Sequence, residues 1–150
     1  GRVPVWAPYP RGERALLADP TRRAEIHELD LTVDAAGLRR SAFEASGFVA
    51  RRIIERSGVP PRRIVATGGG VRVPEWTHAL ADTTGLPVDV VAVPEGAALG
   101  AAWLARMAAG LETSMEDARR WARTGQRIQP DPRWHAACDD RYRRFLEVSG

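Results

Sequence analysis

Residues 64–76, with the sequence IVATGGGVRVPEW, decide the fold of this chain. A short β-branched run predicts a buried strand, three consecutive glycines follow it, and Pro74 suits the first turn of a helix. Because glycine has no Cβ and accepts positive φ angles, a ligand can approach this backbone closely. The amides that open the next helix offer donors and partial positive charge to an anion. The segment is therefore a candidate nucleotide site.

Two common phosphate-binding motifs do not fit these glycines. No Gly-Lys-Ser/Thr follows them, which excludes the Walker phosphate loop. Val73 stands where GxGxxG requires its third glycine, which disfavours a dinucleotide-dependent oxidoreductase. From spacing alone, a tight strand-to-helix turn in an ordinary α/β domain is an equally good interpretation.

A long amphipathic helix is predicted before the glycines, over residues 34–57. Its apolar residues recur at intervals of three and four, Asp34 is placed to cap its start, and Gly58 is placed to end it. Gly37 and Gly47 lower its intrinsic helix propensity. These two glycines predict that the helix packs closely against a neighbour.

The glycines are followed by a predicted helix, strand and helix. The first helix is expected from residue 74 to about 84, and the strand over residues 88–93. The second helix, over 97–109, has apolar residues on every side and is expected to be buried. Asp82 is expected to make local hydrogen bonds and Glu95 to cap the second helix. Alternating strands and helices predict an α/β fold with a partly parallel sheet flanked by helices.

One domain is expected over residues 1–150. Four prolines predict a loop-rich opening segment over 1–33, the core is expected over 34–110, and C-terminal helices are expected over 111–150. In this last part, Ser114 is expected to start a short helix that runs to about Arg123. A final helix is expected from Pro132 through Phe145, with Asp131 as its cap.

Composition narrows the class of protein. The chain is 44% hydrophobic and 27% charged, and all 22 basic residues are arginines scattered among acids, so nucleic-acid binding is not expected. The lone Cys138 fits a reducing compartment, and neither a leader nor a membrane-spanning run is seen, so we expect a cytoplasmic protein without membrane insertion. His27, His78 and His135 lack ligand spacing, so no metal site is expected within the chain.

Four ordered strings resemble one family, the FGGY carbohydrate kinases, and especially their xylulokinase-like branch. The strings are PYPRGERALLADP (8–20), LRRSAFEASGFVARRIIE (38–55), IVATGGGVRVPEWTHALADTTGLPVDV (64–90) and VPEGAALGAAWLARMAAG (93–110). The resemblance implies a ribonuclease H-like, actin-like ATPase fold, of which this chain would be an incomplete C-terminal, nucleotide-holding lobe. In such kinases the catalytic aspartate comes from an earlier part of the protein, so no catalytic residue is expected here.

The resemblance also implies which residues meet ATP. Gly68, Gly69 and Gly70 match the family's adenosine-side turn, and Arg72 is a candidate contact to phosphate or ribose. Val73 departs from the serine that is commoner in the family, which removes one side-chain contact to ATP. Mg²⁺ would be held mainly by the nucleotide and by upstream residues. In the GER string, Glu13 and Arg14 are expected to form a structural pairing rather than to take part in catalysis.

The expected function is ATP-dependent phosphorylation of a sugar, a pentulose such as xylulose or a related polyol. This chain would supply the adenosine side and be inactive alone, since phosphoryl transfer needs an oriented hydroxyl, a metal-bound triphosphate and charge stabilisation together. Its expected partners are ATP, a sugar, the missing N-terminal lobe and, as an open question, a second copy in a homodimer. The alternative function is a non-catalytic nucleotide-binding or oligomerisation module.

Overall fold

Helices and two small sheets make up the computed structural model, which describes residues 2–14 and 16–150. The helices are α1 (Ala35–Ser57), α2 (Pro74–Thr84), α3 (Gly96–Ala108) and α4 (Pro132–Ser149). The strands are β1 (Val5–Ala7), β2 (Glu25–His27), β3 (Ile64–Ala66), β4 (Val88–Val91) and β5 (Thr124–Ile128). Short 3₁₀ turns lie at Gly69–Arg72 and Glu116–Arg120. The α/β class predicted from the sequence is confirmed.

Helix α1 forms as its sequence predicts. The Asp34 carboxylate accepts a hydrogen bond of 2.7 Å from the Gly37 amide, and Gly58 ends the helix in the left-handed region with φ +67°. A Cβ on Gly47 would lie 2.0 Å from the Thr83 hydroxyl oxygen on α2. The predicted close packing is therefore confirmed, since a larger residue at position 47 would collide with α2.

The main sheet has the order β3-β4-β5. Strands β3 and β4 are parallel and α2 connects them, so the predicted strand–helix–strand unit is confirmed. Strand β5 pairs antiparallel with β4 and was not predicted. Its residues are exposed up to the buried Ile128, so it carries no run of apolar residues that would mark it as a strand.

A two-stranded antiparallel sheet lies in the segment that was expected to be loop-rich. Strands β1 and β2 pair from Val5 with His27 to Ala7 with Glu25. The prolines flank β1 instead of interrupting it, which is why they obscured a strand of only three residues. This strand carries part of the first core, whose buried members are Val5, Ala7, Tyr9, Phe48, Tyr142 and Phe145.

A second core lies between α2 and the main sheet. Leu80 and Ala81 of α2 pack against Ala66, Val88 and Ile128, one buried residue from each strand. This packing fixes the position of the glycine turn, because the turn joins β3 to α2 directly.

The C-terminal part differs from the prediction in one respect. The Ser114 hydroxyl accepts from the Glu116 amide, but only a single 3₁₀ turn follows, so the helix expected through Arg123 is absent from the described residues. The last helix is confirmed. The Asp131 carboxylate accepts from the Arg133 amide, and α4 runs from Pro132 to Ser149.

The expectation that residues 97–109 are buried is wrong for this chain. Within α3, Trp103 is buried, whereas most of the alanines are exposed and Leu104 is 57% exposed. The cause is the lack of a packing partner: among the described residues, no other element covers the alanine-rich face of α3. An apolar helix face predicts burial, but burial also needs a neighbouring surface.

Candidate functional site

Two loops meet at the carboxyl ends of the parallel strands β3 and β4. The Pro94 carbonyl, after β4, accepts hydrogen bonds of 3.0 Å from both the Gly68 amide and the Thr67 hydroxyl, after β3. A Cβ on Gly96 would lie 2.9 Å from that same hydroxyl oxygen, so the loops are in close contact. Ligands of open α/β sheets commonly bind at this edge.

A shallow depression of about 560 Å³ lies where these loops meet. Its lining comes from the glycine turn, the loop after β4 and the first turn of α3: Thr67, Gly68, Gly69, Arg72, Pro94, Glu95, Gly96, Ala97 and Ala98. Most of these residues are small, so the backbone itself forms much of the surface. The structure thus brings three of the four predicted site residues together.

Gly68 and Gly69 present bare backbone to this depression. Gly68 has φ +90° and ψ −170°, a conformation that is essentially restricted to glycine. A Cβ added to either residue would meet no other atom within 4 Å. The space next to the main chain is therefore open, as close approach of a nucleotide would require.

Gly70 differs from the other two glycines because it packs against a side chain. A Cβ on Gly70 would lie 3.1 Å from the six-membered ring of Trp76. The Trp76 indole N–H in turn donates a hydrogen bond of 2.8 Å to the Ser46 hydroxyl on α1. Gly70 does not line the depression, and its predicted contact with a nucleotide stays a prediction.

Arg72 and Glu95 face each other at the edge of the depression. The Arg72 guanidinium lies 2.8 Å from the Glu95 carboxylate, and both side chains are more than half exposed. An exposed ion pair contributes at most about 1 kcal/mol, so an anion can compete with Glu95 for Arg72. Glu95 occupies the predicted cap position of α3, where its carbonyl accepts from the Leu99 amide, but its side chain makes no capping hydrogen bond.

Asp82 is buried away from the depression and has a structural role. Its carboxylate accepts 2.8 Å from the Arg40 guanidinium on α1 and 2.9 Å from the Asp131 amide at the start of α4. The expected local hydrogen bonds are therefore replaced by contacts 42 and 49 residues apart in sequence. Asp82 ties three helices together.

Glu13 of the GER string is also buried. Its carboxylate accepts from the backbone amides of Leu16, Leu17 and Ala18, including a bond of 2.9 Å from Leu16. The role of Glu13 is structural, as expected, but these hydrogen bonds come from backbone amides and not from Arg14, whose side chain is exposed.

Neither a metal cluster nor a membrane helix is found in the part of the chain that the structure describes. No three His, Cys, Asp or Glu side chains of residues 2–14 and 16–150 are grouped so that they could hold an ion. None of the helices in these ranges combines the length and the apolar character needed to cross a membrane.

A comparison with known protein families assigns the chain to one of them. The model of the FGGY family of carbohydrate kinases, C-terminal domain, matches residues 1–109. The chain belongs to the FGGY family. This match confirms the resemblance carried by the four sequence strings.

Relatives and a solved structure agree with this assignment. In an alignment of 107 positions that covers 69% of its length, the chain is 36% identical to "Autoinducer-2 kinase" of Escherichia coli (strain K12), and it spans 20% of that protein. In an alignment of 150 positions that covers 97% of its length, it is 31% identical to "Xylulose kinase" of the same organism, and it spans 31% of that protein. The crystal structure of xylulose kinase from Rhodospirillum rubrum matches with 32% identity and a TM-score of 0.78. That match covers 97% of this chain and 30% of the other.

These comparisons establish the fold of the chain and its extent relative to the family. As a member of the FGGY sugar kinases, the chain has the actin-like ATPase fold. It spans about a fifth to a third of the length of the curated relatives.

The sequence pattern missed two features of the site. One is the pair formed by Trp76 and Ser46, which are 30 residues apart. The other is the Pro94 carbonyl, which joins the two loops through backbone hydrogen bonding that side-chain patterns do not encode. A tryptophan just after the helix-starting proline was the available signal for the first feature, since its ring returns over the preceding turn.

Proposed function

We propose that this chain forms the adenosine-side part of an ATP-dependent sugar kinase. The observation that carries the proposal is the open backbone of Gly68 and Gly69, which lies beside the Arg72 cation at the carboxyl ends of two parallel strands. In an FGGY-family chain, such a surface suits an anionic nucleotide. An enzyme of this kind would work in the cytoplasm, where ATP is available.

Each residue has a distinct part in this proposal. Gly68 and Gly69 let the nucleotide contact the main chain, and the rigid turn orients it. Arg72 exchanges its ion pair with Glu95 for a charge-assisted hydrogen bond to phosphate or ribose oxygen. ATP would supply the phosphoryl group, and Mg²⁺, held mainly by the nucleotide and by residues outside this chain, would neutralise its charge.

The chemistry requires groups that this chain does not supply. Phosphoryl transfer needs a base that orients the sugar hydroxyl and a metal-bound triphosphate held in line with it. Asp82, the buried aspartate nearest in sequence to the glycine turn, is committed to Arg40 and Asp131. We therefore propose that the 150-residue piece alone is inactive and that the remainder of the kinase contributes the catalytic aspartate.

The proposed substrate is a pentulose such as xylulose, or a related polyol. Support comes from the "Xylulose kinase" match over 150 residues and from the Rhodospirillum rubrum structure. "Autoinducer-2 kinase" is similar over a shorter stretch. A panel that contains pentuloses, glycerol and autoinducer-2 discriminates among these substrates.

Replacing Arg72 tests the proposal directly. In the full-length kinase, Arg72→Gln is expected to raise the KM for ATP about tenfold, because one charge-assisted hydrogen bond is lost. The KM for the sugar should not change. Initial rates of ADP production, measured while ATP and D-xylulose are varied separately, give both constants.

Arg143→Gln is the matched control. Arg143 is 73% exposed and pairs with Asp140 at 2.7 Å, close to the 70% exposure and 2.8 Å pair of Arg72, but it lies on α4. The control should leave both KM values unchanged. A full-length wild type that phosphorylates no sugar of the panel would contradict the kinase proposal, and ATP binding without turnover would favour the non-catalytic module.

A further inference from the structure

We infer that Trp76 and Ser46 are positioning residues for the nucleotide, because they hold the glycine turn from behind. Neither residue lines the depression, and the inference rests on the proposed function of that depression. What carries it is a continuous path of contacts from α1, through the Trp76 indole, to Gly70 and the rest of the turn.

The first contact in this path fixes the indole. Its N–H donates to the Ser46 hydroxyl oxygen at 2.8 Å, and that hydroxyl donates its own proton to the Phe43 carbonyl, also at 2.8 Å. The donor and acceptor roles of Ser46 are therefore both used. The serine holds the half-buried indole in one orientation.

The second contact fixes the turn. The absence of a side chain at Gly70 lets the Trp76 ring reach the backbone, where an added Cβ would be only 3.1 Å from the ring. The Gly70 carbonyl accepts from the Val73 amide at 3.0 Å, and the Val73 carbonyl accepts from the Trp76 amide at 3.1 Å. The ring, the 3₁₀ turn and the start of α2 thus form one closed unit.

Helix α1 holds the Ser46 end of this path in place. Ser46 lies in the middle of the 23-residue helix α1, next to Gly47, which packs directly on Thr83 of α2. If the indole tilts, the ring moves away from Gly70 and the support behind Gly68 and Gly69 is lost. Since both of these bare residues face the depression, the shape of its floor depends on the Trp76–Ser46 pair.

Ser46→Ala in the full-length kinase tests this inference, with Ser41→Ala as its control. Both serines lie on α1 and donate to the carbonyl three residues earlier at 2.8 Å, but Ser46 alone accepts from Trp76. Ser46→Ala should raise the Kd for ATP roughly three- to tenfold, since the indole N–H loses its acceptor. The KM for the sugar should stay at the wild-type value, and Ser41→Ala should leave both constants unchanged.

Trp76→Phe supplies a second variant and a coupling measurement. The phenyl ring keeps apolar contact with the turn but cannot donate to Ser46. It should weaken ATP binding to a similar extent, and the double variant Ser46→Ala/Trp76→Phe should bind ATP no more weakly than Trp76→Phe alone. Thermal unfolding of each variant checks that the protein is folded at the temperature of the binding measurement.

The outcomes separate this inference from the proposed function. If wild type binds ATP and Ser46→Ala binds it as tightly as Ser41→Ala does, the positioning role is wrong. Fully additive losses in the double variant would also overturn it, because the two side chains would then act independently. If wild-type full-length protein does not bind ATP at all, the proposed function fails instead.

Discussion

Gly68 and Gly69 are neighbours in the turn, but different constraints favour glycine at the two positions. Gly68 has a backbone conformation that disfavours any side chain, whereas Gly69 lies outside the positive-φ region and has free space around its missing Cβ. Folding therefore constrains the first glycine. The second is constrained only if a ligand occupies the space beside it.

Alanine at each position separates folding from binding. Gly69→Ala should leave the unfolding temperature unchanged. It should weaken ATP binding by about 1 to 2 kcal/mol, roughly tenfold in Kd, because its methyl group takes up space that the nucleotide needs. Gly68→Ala should also lower the free energy of unfolding, by ~1–3 kcal/mol, because its backbone conformation is strained with a Cβ. Calorimetric titration with ATP and urea unfolding of the full-length protein measure the two effects.

Gly100→Ala is the control for both variants. It lies within α3, outside the depression, and a Cβ there meets nothing within 4 Å, so alanine should add up to ~1 kcal/mol of stability to the isolated 150-residue chain. ATP binding should not change. Wild-type ATP affinity in Gly69→Ala would mean that the depression is not where the nucleotide binds.

At the level of secondary-structure elements, buried ion pairs attach α4 to the rest of the fold. Glu44 of α1 is 1% exposed and accepts from the Arg141 guanidinium of α4 at 2.6 and 2.7 Å. Arg40 adds a bond of 2.7 Å to Glu44 and also reaches Asp82. Cys138 lies within this cluster, and its burial raises the pKa of the thiol to about 11. The cysteine is therefore a neutral packing residue near neutral pH.

Glu44→Gln should destabilise this attachment. The amide keeps the size of the carboxylate but leaves the largely buried Arg141 guanidinium, 12% exposed, without its counter-charge, at a cost of roughly 3 kcal/mol. Equilibrium unfolding in urea, followed by far-UV circular dichroism, measures the loss. Glu147→Gln, at an exposed position of α4, should leave the free energy of unfolding unchanged. Equal stability of the two variants would contradict the view that this cluster holds α4 in place.

Elements with strong local signals were predictable from the sequence. Helix α1 carries its own periodicity, its Asp34 cap and its Gly58 stop, and α2 carries a starting proline and a final glycine. Strand β5 was not predictable because its exposed residues carry no apolar alternation. The contacts of Asp82 depend on tertiary packing, which brings Arg40 to it across 42 residues of sequence.

The candidate site was predictable in part for the same reason. The glycine run showed where the backbone is open, and the structure has Arg72 lining the same depression. The resemblance, however, treated the three glycines as one group. Separating Gly70 from Gly68 and Gly69 required the position of Trp76, which follows from the fold and not from the local sequence.

For the molecule as a whole, the exposed face of α3 and the open edge of the main sheet are the largest departures from the expected burial. Strand β3 is an edge of the sheet, and Val65 on it is 55% exposed. Parallel strands are normally covered on both faces, and small-residue helix faces normally pack closely. Both surfaces therefore suit contact with further protein, either the remainder of the proposed kinase or a second copy.

The isolated 150-residue chain is expected to self-associate through α3. Leu104→Glu places a charge on the exposed apolar face and should shift the chain toward monomer, as measured by light scattering coupled to size-exclusion chromatography. Leu31→Glu is the control, because Leu31 is a fully exposed leucine outside α3 and its change should not affect association. A wild-type chain that stays monomeric at high concentration would contradict the prediction. If the remainder of the proposed full-length kinase covers α3, Leu104→Glu should lower the unfolding temperature of the full-length protein, while Leu31→Glu should not.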